Sequence, residues 1–484
     1  MGSTIARCAG IGQNEEVTIL RNTLLLSAAA LLAVPAGPAL AGGFEIPDNG
    51  TFTLGRGGAF IVRADDPTAL VHNPGGLARL RGTHLLYNHV LIWEDATFTR
   101  AESELPPGQA TEHDPLAPVS NEKPLFPLGL MVAMATDFGL DDWTFALGLY
   151  GPHSHGQKKY PLQGGQRYML TELETLVLYT NLSVAYGVED VFGVGLTLQY
   201  AMAPRVRLSV VSDGTTGTPL NAYYSPGDAE TTLELKDMAA FSAIVGAWWR
   251  VAPELELGLS GRIIPVNFDL EGTVAAQTTP NSPLEIDVVD SNARLRLTIP
   301  PSIKAGVRYR HLDGEDEVFD VELNVVYEAW SMVSGFDAKL SGTIVGDVSE
   351  PLTDTETPKR WRDTVSVRLG GTVSLLEGLE LSLGGYWESA AVPQNYEHLD
   401  FMSFARVGLG IGVRGQIGPV RLSVAYSHVF QETREVSERF GKVYQVRPLR
   451  PCPDRCGGYS GVPANAGRFE SAYDMLAFGL EAMF

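Results

Sequence analysis

The sequence predicts an all-β fold, a fourteen-stranded antiparallel transmembrane β-barrel with a small N-terminal hatch (plug) in the lumen. Three observations predict it. Apolar residues alternate with polar or tiny ones along segments of about ten residues or more, the length at which a tilted strand crosses a bilayer. Short and long connections take turns along the chain. The last segment alternates as well and ends on Phe484.

Alternation is clearest from Phe192. One face reads Phe192, Val194, Leu196, Leu198, Tyr200 and Met202, and the other Gly193, Gly195, Thr197, Gln199 and Ala201. Successive side chains of a strand point to opposite faces, so this segment has one apolar and one polar side. Leu255, Leu257, Leu259 and Ile263 oppose Glu256, Gly258, Ser260 and Arg262 in the same way. Further on, Leu295, Leu297, Ile299, Ile303, Val307 and Tyr309 oppose Arg294, Arg296, Thr298, Lys304 and Arg308. Val407, Leu409, Ile411 and Val413 oppose Arg406, Gly408, Gly410 and Arg414.

A soluble sandwich alternates too, so the connections decide. Short turns near 139–141, 189–190, 252–254, 311–315, 376–378 and 417–419 face long polar loops near 101–125, 152–171, 213–229, 273–284, 345–360, 390–402 and 433–470. Short periplasmic turns and long outer loops are the outer-membrane arrangement. Strands are expected to start near 83, 126, 142, 172, 190, 230, 254, 285, 316, 361, 378, 403, 418 and 470. An even number puts both ends in the periplasm, and closure leaves no strand edge unpaired in lipid. The terminal aromatic resembles the signal read by barrel assembly machinery.

The mean hydropathy of +0.01 is too low for a bundle of membrane helices. One apolar stretch, residues 24–34, follows Arg21 and precedes a small-residue site at Ala39-Leu40-Ala41. It is too short to span a bilayer as a helix, which needs about 20 residues. Residues 1–41 are therefore expected to be a signal peptide, and 83–484 the barrel of an outer membrane in a Gram-negative cell. The formal net charge of −21 argues against a nucleic-acid partner. Cys452 and Cys456 are expected to close a small disulfide loop, since no metal ligands adjoin them.

Residues 42–82 do not alternate. Asp66 before Pro67 reads as a helix N-cap with proline in the first turn, and Asn73-Pro74 as that helix's end. About forty residues of helix and turn fit inside a barrel wider than the ~8-stranded kind that side chains alone fill.

Gly42-Gly43-Phe44, Leu54-Gly55-Arg56-Gly57-Gly58-Ala59-Phe60, Ala64-Asp65-Asp66-Pro67-Thr68-Ala69 and Asn73-Pro74 resemble the start of the FadL-type long-chain fatty acid and aromatic hydrocarbon channels. So do Leu147-Gly148-Leu149-Tyr150-Gly151-Pro152, Gly165-Gln166-Arg167-Tyr168 and Ala329-Trp330-Ser331 further on. Gly75 departs from the alanine common in the family after Asn-Pro. The resemblance implies passive uptake of a hydrophobic small molecule, captured at outer loops and released sideways into the membrane. It also implies that Phe44 and Tyr150 touch ligand. Asn73 and Pro74 would be the hatch motif, beside a lateral gate at Gly148, Gly151 and Pro152 on a kinked third strand. Lipid and lipopolysaccharide are the expected surroundings.

Arg294 and Arg296 read as inward-facing and as candidates to pair with a ligand carboxylate. Arg308, Arg368, Arg406 and Arg414 are candidates too, and most of the six are expected to form a lumen network with Glu256, Glu322, Glu380 and Glu481, because barrel interiors are polar. His153 and His155 have no nearby carboxylates, so no metal site is expected. Nucleophile elbow, phosphate loop and paired zinc motif are all missing, which gives no support to catalysis and implies no cofactor. A water-filled porin and a purely structural or adhesive barrel are the other readings.

Overall fold

The computed structural model describes residues 43, 49–101, 117–151, 156–213, 228–280, 285–346, 349–444 and 463–484. The expected leader, Phe44, Pro152, Cys452 and Cys456 lie outside them. Fourteen antiparallel strands form one closed wall: β1 (Thr83–Arg100), β2 (Leu125–Thr136), β3 (Trp143–Tyr150), β4 (Glu172–Val188), β5 (Phe192–Asp213), β6 (Asp228–Ala252), β7 (Leu255–Ile264), β8 (Ser302–Asp313), β9 (Asp316–Glu328), β10 (Thr364–Leu376), β11 (Leu379–Glu388), β12 (Arg406–Ile417), β13 (Val420–Gln431) and β14 (Gly467–Met483). Each pairs with the next, and β14 returns to β1 with His84 opposite Met483 and Arg100 opposite Gly467.

Observed starts fall within three residues of the expected ones, except at the eighth strand. There the segment expected from 285 splits into an outer piece, Ile286–Ile299, and β8, with Pro300 and Pro301 between. Proline cannot donate to a ladder, so the strand breaks where two occur together.

Through the lower wall the outward face is apolar. Leu198, Leu259, Ile303, Leu409 and Val424 are exposed, while Thr197, Gln199, Glu256, Arg308 and Arg406 are buried inside. Among the described residues no helix is long and apolar enough to cross a membrane. Crossing is by strands.

Toward the outer end, on neighbouring stretches, the wall exchanges its faces. On β6, Ser242, Ile244 and Trp248 are buried on the inner side, but Leu233 and Leu235 are the buried ones higher up, with Glu234 and Lys236 exposed. A shift of register at Ala203 of β5, opposite Asp237 of β6, marks the change. Beyond Pro265, the outer strand Val266–Thr278 buries Val266, Phe268, Leu270 and Val274 and exposes Asn267, Asp269 and Glu271. The physical reason is the outside medium. Lipid below wants apolar side chains outward, whereas water above wants polar ones.

Inside the wall lie two short helices, α1 (Thr51–Gly55) and α2 (Ala69–His72), and a 3-10 turn (Pro74–Arg79). Asp66 and Pro67 sit just ahead of α2 rather than in it. The N-cap residue is Thr68, whose N–H and hydroxyl both donate to Asp66 Oδ1 at 2.8 and 2.5 Å. Asn73 ends α2 in extended conformation and its Oδ1 accepts from Gly75 N at 3.1 Å, which opens the 3-10 turn behind Pro74.

Candidate functional site

The lower lumen is filled by this N-terminal segment, and charge holds it there. Arg56 grips Asp320 of β9 through two bonds of 2.9 and 2.7 Å and reaches Glu322 at 3.4 Å. Arg63 pairs with Asp320 at 3.0 Å and with Glu380 of β11 at 2.9 Å. From the wall, Arg308 binds Glu256 and Asp320, each at 2.8 Å, and Arg414 binds Glu380 at 2.5 Å. Burial works against ionisation of Asp65, but Arg63, Arg414 and Arg79 hold its carboxyl well below the usual range. Backbone N–H groups of Val62 and Arg63 donate to Glu322 at 2.8 and 3.0 Å. A buried charge is costly unless paired and hydrogen-bonded, and here the partners come from both segment and wall.

Close approach is the second anchor. A Cβ at Gly195 of β5 would lie 2.3 Å from Pro74 O, and one at Gly384 of β11 would lie 2.1 Å from Arg56 O. The segment therefore rests directly on wall backbone.

Above it the interior turns apolar. Phe268, Ile299, Trp330, Trp361, Phe401, Phe404 and Leu170 belong to one buried cluster. Trp361 stands edge-on to Trp330 at 5.1 Å and to Phe336 at 5.9 Å between ring centres, and Phe336 meets Phe401 at 5.8 Å. Gly43 is buried against the indole of Trp330, where an added Cβ would lie 2.2 Å from a ring carbon. The site is thus an aromatic interior standing on a charged, packed floor.

The sequence profile described as "Outer membrane protein transport protein (OMPP1/FadL/TodX)" matches residues 32–447. The chain belongs to this family. Solved structures of the FadL/TodX type share its fold. A Pseudomonas aeruginosa FadL homologue superposes with a TM-score of 0.68 at 17% identity, covering 92% of this chain and 100% of its own. The toluene transporter TbuX of Ralstonia pickettii gives 0.61 at 15% identity, with coverage of 91% and 100%. TodX, a toluene transporter of Pseudomonas putida, gives 0.65 at 12% identity, with coverage of 91% and 99%. Among curated proteins no sequence matches the chain.

In this FadL/TodX-type barrel, Tyr150 is buried at the end of β3. It stacks on Tyr179 with ring centres 5.0 Å apart and accepts a bond from Gln199 Nε2 at 2.9 Å. Gly148 faces Leu70 of α2, whose Cδ2 would lie 2.7 Å from an added Cβ. Gly151 follows β3 and donates to Leu130 O at 3.3 Å. The contacts of Asn73 and Pro74 are with β5, β6 and the segment itself. Asn73 Nδ2 donates to Ala247 O of β6 at 2.9 Å and to Ile61 O at 2.7 Å, and Pro74 abuts Gly195 and Gly246.

Against expectation, Arg294 and Arg296 do not face inward. Both are on the outward face of Ile286–Ile299, with side chains 65% and 70% exposed, paired to Glu271 at 3.0 Å and Asp269 at 2.8 Å. The face exchange at Pro300-Pro301 puts Ala293, Leu297 and Ile299 inside instead. Arg308, Arg368, Arg406 and Arg414 do face inward, with Arg406 bonded to Glu388. Glu481 bonds to His84 at 2.7 Å. Asp320, which binds three arginines, was not singled out from sequence, although it shares the inward face with Glu322 two residues on.

Buried polar groups tie the outer loops together. Lys359 Nζ donates to Asp400 Oδ1 at 2.7 Å, and Lys158 pairs with Glu94 at 2.8 Å. Arg434 meets Glu397 at 2.9 Å, yet burial pushes the Glu397 carboxyl up to about 8.

Proposed function

We propose that this barrel is a passive uptake channel for hydrophobic small molecules, long-chain fatty acids or hydrocarbons, and that it releases them sideways into the membrane. The exchange of faces in the outer wall carries the reading. It surrounds the outer interior with aromatic and aliphatic side chains, and the charged segment below leaves no reason for an apolar molecule to go on to the periplasm. Each Å² of apolar surface removed from water is worth about 25 cal/mol, which drives a greasy molecule first into such a chamber and then into lipid. Toluene is the cargo in the names of two structural neighbours, in keeping with an apolar ligand.

In this reading residues 42–82 are the hatch, Phe44 and Tyr150 contact ligand, and the family resemblance points to Gly148, Gly151 and Pro152 for the exit. Lipopolysaccharide and the assembly machinery are the partners of the wall. Proteoliposomes test it. Entry of a radiolabelled long-chain fatty acid or toluene well above that of empty vesicles, with slow swelling in sugars, supports the channel. Rapid sugar entry without uptake of either probe overturns it in favour of a water-filled porin.

A further inference from the structure

From the C-terminal end upward, the outward row of β14 reads Leu480, Phe478, Leu476, Asp474, Ala472, Glu470 and Arg468. It is apolar as far as Leu476 and carries charge from Asp474 on, so the acyl chains end near that level. Arg468 comes six residues after Asp474 in this direction. That is about 20 Å along the strand, or ~15 Å of height at a ~40° tilt. Arg468 therefore stands among the sugars and phosphates that cover an outer membrane from outside.

A cavity of about 830 Å³ opens at this height. Thr99 of β1 and Arg468 of β14, opposite each other in the ladder, form one side of it. Arg362, Gln394, Glu435 and Phe440 come from the loops alongside. Hydrogen bonds hold these loops to one another. Gln394 Nε2 donates to Glu435 O at 2.6 Å, Arg362 N to Ala391 O at 2.8 Å and Lys442 N to Asn395 O at 2.8 Å. Arg100, which also lines the cavity, is buried and donates to Ala464 O at 2.7 Å and Pro463 O at 3.0 Å. Small-molecule sites are largely pre-formed clefts of about 300–1,000 Å³, and this one has that size and those fixed walls.

The pocket is cationic in a chain whose net charge is −21. Arg362 is exposed, and among the described residues no carboxylate pairs with it. The same holds for Arg439 and Lys442, which flank Phe440 in the chain. Exposed cations elsewhere on the outer wall are matched: Arg205, Arg294, Arg296 and Lys339 have carboxylates at 3.2, 3.0, 2.8 and 2.9 Å. Arg468 has Glu470 at 2.7 Å, but its side chain is half exposed. Such surface pairs are weak, and a phosphate offers a guanidinium two oxygens at once. Phe440 is 71% exposed beside these cations. One ring is too little apolar surface for a protein partner, but it matches the apolar face of a single sugar ring.

We propose that this pocket binds a phosphorylated core sugar of lipopolysaccharide. Arg362 and Arg468 take the phosphate, Phe440 covers the face of the sugar ring, and Thr99, Gln394 and Glu435 bond its hydroxyls. The proposal rests on the outer-membrane setting of the barrel and is independent of what the barrel takes up.

The test titrates the full-length barrel in mild detergent with a rough lipopolysaccharide whose core is phosphorylated, and native mass spectrometry counts the bound molecules. Heat-modifiable migration reports folding. Arg362→Gln combined with Arg468→Gln is expected to weaken binding at least tenfold. Arg294→Gln combined with Arg296→Gln removes the same charge from another stretch of the outer wall and should bind as the wild-type chain does. A lipopolysaccharide whose core lacks phosphate, but whose lipid anchor keeps it, should bind the wild-type chain at least tenfold more weakly. Wild-type affinity in the folded Arg362→Gln, Arg468→Gln variant overturns the site. So does undiminished binding of the phosphate-free core, or equal competition by phosphatidylglycerol, which shares the charge and lacks the sugar. If the double variant does not fold, Phe440→Ala decides by the same tenfold criterion.

Discussion

Arg56 and Asp320 are 264 residues apart in the chain and meet as a two-point ion pair of 2.9 and 2.7 Å, with no exposure on either side chain. The arginine belongs to the N-terminal segment and the aspartate to the wall. The same carboxylate also takes Arg63 at 3.0 Å and Arg308 at 2.8 Å. One carboxylate therefore joins three guanidinium groups, which also reach Glu322, Glu380 and Glu256.

Asp320→Asn is expected to release the segment. It removes the carboxylate charge that three buried arginines share, although Glu322, Glu380 and Glu256 remain to them, and breaking a buried pair from one side typically costs about 3–5 kcal/mol. Arg56→Met removes one cation of the three and should cost less. Neither change touches the lipid-facing rows, so both variants should still migrate as folded barrels. Sugar-driven swelling of liposomes is the readout, with entry fastest for Asp320→Asn, slower for Arg56→Met and slowest for the wild-type chain.

Gly195→Val tests the steric anchor separately from the charged one. The Cβ would press on Pro74 O at 2.3 Å while the outward neighbours Val194 and Leu196 stay as they are. Overpacking of this kind costs about 1–3 kcal/mol, and the structure that can yield is the segment, since the wall is tied on both sides. The expected result is a folded barrel whose residues 49–80 gain protease sensitivity. A valine variant as resistant as the parent would show that the segment rests on its ion pairs alone.

Why the strands were legible and the arginines were not has one physical cause. Alternation such as Phe192–Met202 against Gly193–Ala201 reports two faces and their composition, and lipid on one side settles which face is which. That was enough to place thirteen strand starts. Above the bilayer the outside medium is water, so the same alternation means the opposite. Leu297 and Arg296 look alike in pattern to Leu257 and Glu256, yet Leu297 is inside and Leu257 outside. Pro265 and Pro300-Pro301 marked the change, but a proline pair alone does not say that faces exchange. The ion-pair floor was half legible. Glu256, Glu322, Glu380, Arg308 and Arg414 follow from inward parity, whereas the partners Arg56 and Arg63 come from a segment with no periodicity to read.

The exchange of faces makes opposite demands on two neighbouring positions. Phe268→Asp puts an unpaired carboxylate into the aromatic interior, where Phe268 has no exposure, and should reduce uptake of a hydrophobic probe by at least tenfold. Arg296→Ala removes an exposed pair with Asp269. Such pairs are worth about 0–1 kcal/mol, so stability and uptake should stay near wild-type. If Arg296→Ala abolished uptake of a carboxylate ligand while Phe268→Asp did not, the assignment of inside and outside at this level would be wrong.

Acidity should tighten the outer loops. Burial raises the Glu397 carboxyl from its ordinary 4.5 to about 8, even though Arg434 lies at 2.9 Å. Among the described residues its Oε1 is buried without a hydrogen-bond partner, so an ionised group is poorly served there. In the unfolded loop the proton leaves near 4.5, and in the folded loop near 8. Between these values the folded state holds one more proton, so the stabilisation is complete below pH 4.5 and is lost as pH rises through 8. Each pH unit crossed in that window removes up to about 1.4 kcal/mol. Asn465 Nδ2 donates to the Glu397 carbonyl at 3.0 Å, which couples residues 390–405 to the approach to β14. Proteolysis of the outer loops should accordingly be slow at pH 5.5 and several-fold faster at pH 8.5, after correction for the protease's own pH dependence. Glu397→Gln carries no charge at either pH and should flatten the profile; a variant that kept the wild-type slope would assign the effect to Lys359, Asp400 or His398 instead.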